Sequence, residues 1–190
     1  MDRNIIMGIT GASGSIYAKN FIRHAGRLNL FLRVVASSMG ESVFRHETNS
    51  DVRAVLESAD CKFRIYDNRD MFADIASGSC RTGGMVILPC SMKTLSSVAA
   101  GTSGSLLERA ADVTLKERRT LILAVRETPL SLIHLKNMVS AAEAGAVILP
   151  ASPGFYHSPS GLDSLADFIS ARIFDQLGID HGLNTAWHEK

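Results

Sequence analysis

The chain has 190 residues, 46% of them hydrophobic and 21% charged, with a formal net charge of +1. That length suits one domain with a sizeable core, and the composition is globular. The balanced charge gives no support to nucleic-acid binding, no apolar run reaches membrane-spanning length, and the N-terminus lacks a signal-peptide pattern, so a soluble, cytoplasmic protein is expected.

Asn4 to Thr10 reads as an apolar strand, Gly11-Ala12-Ser13-Gly14-Ser15 as a turn of small residues, and the chain restarts as a helix at Ile16. A helix N-terminus offers unpaired N–H groups and a partial positive charge, which together suit a phosphate. Gly11 and Gly14 permit tight turning, and Ser13 and Ser15 are placed to cap the helix or donate to an anion. The turn suits a ligand and a plain helix cap about equally. Gly8, Gly11 and Gly14 only loosely match the dinucleotide spacing G-x-G-x-x-G. The second strand, Phe31 to Ala36, ends in Ser37-Ser38, without the carboxylate that would hold an adenosine ribose. A mononucleotide phosphate is therefore favoured over NAD. Ser37 and Ser38 also read as the cap of a helix starting near Met39.

Helices are expected over Met39–His46 and Val52–Ala59, then a strand over Lys62–Tyr66. Gly84 to Leu88 reads as a buried strand ending in Pro89-Cys90-Ser91-Met92, followed by helices near Met92–Ala100 and Ser105–Lys116. A strand over Thr120–Val125 leads to Arg126-Glu127-Thr128-Pro129, with Pro129 opening a helix over Leu130–Ala144. The apolar run Ala146–Leu149 and a last helix over Gly161–Leu177 follow, and the tail beyond has no strong pattern. Alternating helices and near-continuous apolar strands predict an α/β fold with a parallel sheet covered on both faces. Ligands in such sheets bind beyond the carboxyl ends of the strands. Here those ends carry Thr10–Ser15, Ser37-Ser38, Pro89–Thr94, Arg126–Pro129 and Pro150–Tyr156.

Ser91 to Thr94 opens a helix straight after a strand, as an N-cap or as a polar ligand patch. Arg126 at a strand end can bind phosphate bidentately or pair with a carboxylate. Arg109, Asp112 and Lys116 share one helix face, where spacing alone favours a solvated face with Asp112 paired locally. Cys90 reads as a packing residue and Glu47 as a surface residue. Cys61, Cys80 and Cys90 show no disulfide spacing, and the six histidines no metal-ligand spacing, so no structural metal is expected.

Five blocks occur in order: Gly8-Ile9-Thr10-Gly11-Ala12-Ser13-Gly14, Leu88 to Leu95, Arg109 to Glu117, Arg126-Glu127-Thr128-Pro129-Leu130, and Pro153-Gly154-Phe155-Tyr156-His157. Together they closely resemble the UbiX flavin prenyltransferase family, formerly described as aromatic acid decarboxylase subunits, over nearly the whole chain to about Ile179. The resemblance implies a Rossmann-like, flavodoxin-type single domain over 1–180 with a C-terminal tail over 181–190, assembled as a homododecamer of trimers. It implies that reduced FMN is alkylated at N5 by dimethylallyl monophosphate and closed onto C6. The product, prenylated FMN, serves a UbiD-type decarboxylase, and no metal is needed. Gly11, Ala12, Ser13, Ser37, Ser91, Met92, Lys93, Thr94 and Arg126 are the implied FMN contacts. Arg109, Lys116, Tyr156 and Arg172 are the implied holders of the allyl phosphate. Ser13, Glu47, Glu127 and Tyr156 are the implied catalytic groups. Ser103 and Ser158 depart from the family pattern at the pocket rim, and Trp187 is a candidate cover. Alternatives are a flavin-dependent cysteine decarboxylase of the same fold, or a non-catalytic FMN-binding subunit.

Overall fold

Strands that are apolar along their whole length need cover on both sides. A computed structural model describes residues 3–183 of the chain. Its strands are β1 (Asn4–Ile9), β2 (Phe31–Ala36), β3 (Lys62–Tyr66), β4 (Gly84–Cys90), β5 (Leu121–Val125) and β6 (Val147–Ile148). They form one 6-stranded sheet in the order β3-β2-β1-β4-β5-β6, every pairing parallel. The helices are α1 (Ser15–Arg27), α2 (Ser38–Thr48), α3 (Val52–Ser58), α4 (Met92–Ala99), α5 (Leu106–Lys116), α6 (Leu132–Glu143) and α7 (Leu162–Leu177). Among the described residues no helix is long and apolar enough to cross a membrane. Trp187 lies outside them.

Side-chain alternation along the strands divides the core in two. Ile5, Met7 and Ile9 of β1 face a core shared with Phe21 and Ile22 of α1 and Ile173 and Phe174 of α7. Ile6 of β1, with Met85 and Ile87 of β4, faces the other core, with Leu95 of α4, Leu107 and Ala111 of α5 and Ala141 of α6. Phe21 stacks on Phe174 at 4.8 Å, and Asp167 of α7 bonds Asn20, Arg23 and His24 of α1 at 2.7–3.1 Å. α5 and α7 therefore lie on opposite faces of the sheet.

The predicted elements differ from the observed ones in a few places. β4 continues to Cys90, where a register shift next to Pro89 lets Cys90 pair with Val125. Pro129 does not open α6: Ser131 caps it, accepting from His134 N, and the helix begins at Leu132. Residues 67–83, which carry no periodic pattern, cover the β2–β3 face with a single 3-10 turn, Asp74–Ala76. Arg33 of β2 clamps this turn through Asp74 at 2.7 Å and through the Tyr66 hydroxyl.

Candidate active site

The strand order reverses between β1 and β4, and that switch point opens a crevice at the carboxyl edge of the sheet. A cleft of about 520 Å³ lies there. Gly11 after β1, Ser37 to Met39 after β2, Asn68 after β3 and Ser91, Lys93 and Thr94 after β4 line it, with Ser105, Leu107 and Glu108 from the start of α5. Its size is that of a small-molecule site. A Cβ on Gly11 would lie 2.8 Å from Met39 Cβ, so no side chain fits there. Thr10 fixes the floor: its hydroxyl donates to the Pro89 carbonyl at 2.7 Å and accepts from Ser91 N at 2.8 Å. The ends of β1 and β4 are thereby tied together.

The helix N-termini around the cleft differ in what they have left to offer. Ser37 caps α2 by accepting from Gly40 N, and Ser91 caps α4 by accepting from Thr94 N. These caps leave the first-turn N–H groups of Ser38, Met39, Met92 and Lys93 for a ligand. At α5, Asn68 takes the N–H groups of Leu106 and Leu107, and Ser105 takes that of Glu108.

The first turn, where the sequence pattern places a phosphate, is already occupied by an anion. Gly14 is the N-cap of α1 at φ 107, and neither Ser13 nor Ser15 takes the capping role expected of it. Glu47, from the last turn of α2, accepts instead from Gly14 N at 2.9 Å and Ser15 N at 2.7 Å. Burial pushes the Glu47 carboxyl up, but hydrogen bonds from the Ser13 and Ser15 side chains and the two N–H groups outweigh it and hold the pKa below its ordinary value. Glu47 is thus a tethered carboxylate beside Ser13, not a free surface group. An anion entering the crevice meets α2 and α4, with their free N–H groups and hydroxyls, rather than α1.

Arg126, at the end of β5, reaches the same turn and donates from Nε to the Ser13 carbonyl at 2.8 Å. Ala12 and Met92 are buried and do not line the cleft. Glu127 is exposed and accepts from Thr128 N. Cys90 is fully buried, its thiol pushed up to about 12 by that burial, which suits packing.

The four residues assigned to the allyl phosphate do not converge within one chain. Arg109 pairs with Asp112 at 2.7 Å and also donates to the Ala76 carbonyl, while Lys116 pairs with Glu117 at 2.6 Å. Arg172 pairs with Asp175 at 2.8 Å. Tyr156 packs edge-on against Phe168 of α7 at 5.7 Å. Arg109 and Lys116 stand on α5, and Tyr156 and Arg172 stand on or against α7, so the sheet separates the two pairs.

Asn68 and Glu108 are cleft residues without a clear local signal. Asn68 lies in the patternless 67–83 segment. Ser105 and Glu108 have capping-box spacing, but the Glu108 carboxylate accepts from Gly104 N and from Lys93 rather than from Ser105 N.

The flavoprotein family model matches residues 1–173. The flavin prenyltransferase UbiX of Halalkalibacterium halodurans is 44% identical, over 97% of this chain and 93% of its own. The crystal structure of AnUbiX (PadA1) in complex with FMN and dimethylallyl pyrophosphate superposes with a TM-score of 0.93 at 38% identity, covering 100% of both chains. A dodecameric FMN-dependent UbiX-like decarboxylase from Escherichia coli gives 0.91 at 37% identity, over 98% of this chain and 100% of its own. Matched from end to end in sequence and in fold, the chain belongs to the flavoprotein family and, within it, to the UbiX flavin prenyltransferases.

Proposed function

We propose that the chain joins a dimethylallyl group from dimethylallyl monophosphate to N5 and C6 of reduced FMN, and that the prenylated FMN is released to a UbiD-type decarboxylase. The observation that carries this reading is the cleft at the β1–β4 switch point, with two capped helix N-termini whose leading N–H groups remain open. They suit the FMN phosphate, with Ser37, Ser91 and Thr94 adding hydroxyls. Met39 and Leu107 supply apolar wall. Arg126, fixed on the Ser13 carbonyl of the turn that also carries Gly11, has the planar donor set to bind the polar edge of a flavin ring. The flavin supplies the nucleophilic atoms.

The chain's own part is charge and proton handling. Breaking the C–O bond of the allyl donor leaves negative charge on phosphate, and preorganised cations and a phenol hydroxyl stabilise it. Arg109, Lys116, Tyr156 and Arg172 have that chemistry. Because the sheet separates the pairs, they serve one phosphate only if different copies of the chain contribute them. In this reading the tethered Glu47 carboxylate takes a proton through the hydroxyl of the neighbouring Ser13, and Glu127, next to Arg126 in sequence, is a second acceptor. The catalytic domain of this reading is 1–180.

α6 supports assembly. Leu132, Ile133 and Val139 are 66%, 69% and 57% exposed, and of the α6 residues only Ala141 is buried. An apolar stripe of this kind on a short helix needs cover, and a second copy supplies it, as the dodecameric relative suggests. Anaerobic incubation with reduced FMN and dimethylallyl monophosphate, followed by mass spectrometry of the extracted flavin, tests the function. A flavin heavier by one isoprene unit is expected, and unmodified FMN despite tight binding would contradict the reading.

A further inference from the structure

Among the described residues, Lys93 and Glu108 are the only charged side chains lining the cleft, and they face each other: Lys93 Nζ donates to Glu108 Oε1. The two partners are unlike. The Lys93 side chain is 78% exposed, whereas that of Glu108 is 4% exposed. The other Glu108 oxygen accepts from Gly104 N at 2.9 Å, which fixes the carboxylate in the wall. Burial alone would push Glu108 up, but bonds from Lys93, Ser97 and Gly104 hold it below the ordinary carboxylate range. It is therefore an anion at neutral pH, and the fold keeps it in place.

Lys93 lies on the first turn of α4, next to the N–H groups open to a phosphate. An unpaired ammonium there would add its charge to the hold on any anion bound at that helix end. Glu108 offsets that charge from inside the protein. We propose that Glu108 is a charge-balancing residue that weakens the cleft's grip on the flavin phosphate, so that the flavin is held as an exchangeable substrate rather than as a permanently bound group. The proposal rests on the functional reading above, in which a modified flavin must leave after each turnover. A cleft that bound the phosphate with an uncompensated lysine would retain product as firmly as substrate.

The test is a double-mutant cycle on the full chain, with FMN and phosphate-free riboflavin as probes at two ionic strengths. Glu108→Gln removes the charge at nearly constant shape and keeps one accepting oxygen, enough for Gly104 N or for Lys93 but not for both. It is expected to bind FMN roughly three- to tenfold more tightly, with a steeper salt dependence and unchanged riboflavin affinity. Lys93→Met is expected to bind FMN more weakly than the unaltered chain, and the double variant to return close to it. FMN binding by Glu108→Gln that is unchanged or weaker would overturn the proposal, as would equal tightening for riboflavin. Should Glu108→Gln not fold alone, the double variant compared with Lys93→Met decides: tighter FMN binding by the double variant, with riboflavin unchanged, sustains the proposal, and equal FMN affinity overturns it. FMN binding by the unaltered chain tests the functional reading, whereas the ratios between variants test only the pair.

Discussion

Arg126 donates to the Ser13 carbonyl of the turn after β1, whereas Arg172 donates to Asp175 one turn along its own helix. The different anchoring separates their expected roles. On the proposed function, Arg126→Ala removes a cation assigned to the flavin and should weaken FMN binding. Arg172→Ala should leave FMN affinity largely intact and weaken use of the allyl donor by about 1.5–3 kcal/mol, the scale of a charge-assisted hydrogen bond. Paired FMN titrations and prenylation rates decide; loss of FMN binding in Arg172→Ala with normal turnover of the remaining holoenzyme would refute the division. Glu47 makes a second prediction. Replacing it with Ala leaves the Gly14 and Ser15 N–H groups to water, and α1 should lose about 0.5–2 kcal/mol, as for other lost caps. Its pKa lies below the ordinary value in the folded chain. The stabilising contribution is therefore complete above the ordinary Glu pKa and fades as pH falls through the lowered folded value. Thermal melts across that acid range should show a decline that Glu47→Gln lacks. No sequence pattern pointed to this contact, because Glu47 reaches a turn 33 residues away and by local spacing is one more polar residue on α2.

The elements themselves were largely legible. β1, β2 and β3 run over the stretches their apolar residues mark, and Ser37, Asp51, Ser91 and Ser105 each cap the helix that follows them. Near-continuous apolar runs broken by small hydroxylic residues admit few other readings. The 67–83 segment was not legible, because its order comes from Arg33 and Tyr66 on neighbouring strands rather than from its own periodicity. α6 is a helix as expected, but its face is not a core face: Leu132, Leu135 and Val139 face solvent in a single chain. Leu132→Glu combined with Val139→Glu should leave the monomer fold intact and lower the oligomeric mass seen by light scattering. An unchanged large assembly would show that α6 does not hold copies together.

At the scale of the whole molecule, the informative fact is which face each helix takes. The spacing of Arg109 and Lys116 placed them on one helical face, and the family resemblance added Tyr156 and Arg172, but neither shows that α5 and α7 lie on opposite sides of the sheet. That follows from the crossover order, which local patterns do not encode. On the proposed function, in which all four residues serve one phosphate, the site must be shared between copies, and mixed assembly tests this directly. Arg109→Ala and Arg172→Ala should each be nearly inactive in flavin prenylation as pure assemblies. Dissociated and reassembled together, they place intact Arg109 from one copy opposite intact Arg172 from another in about one site in four, if copies mix at random. The measurement is the yield of prenylated flavin, by mass spectrometry, from the mixed assembly compared with the two pure ones. A clear rise on mixing is the predicted result; a mixed assembly no more active than its parents would contradict a shared site.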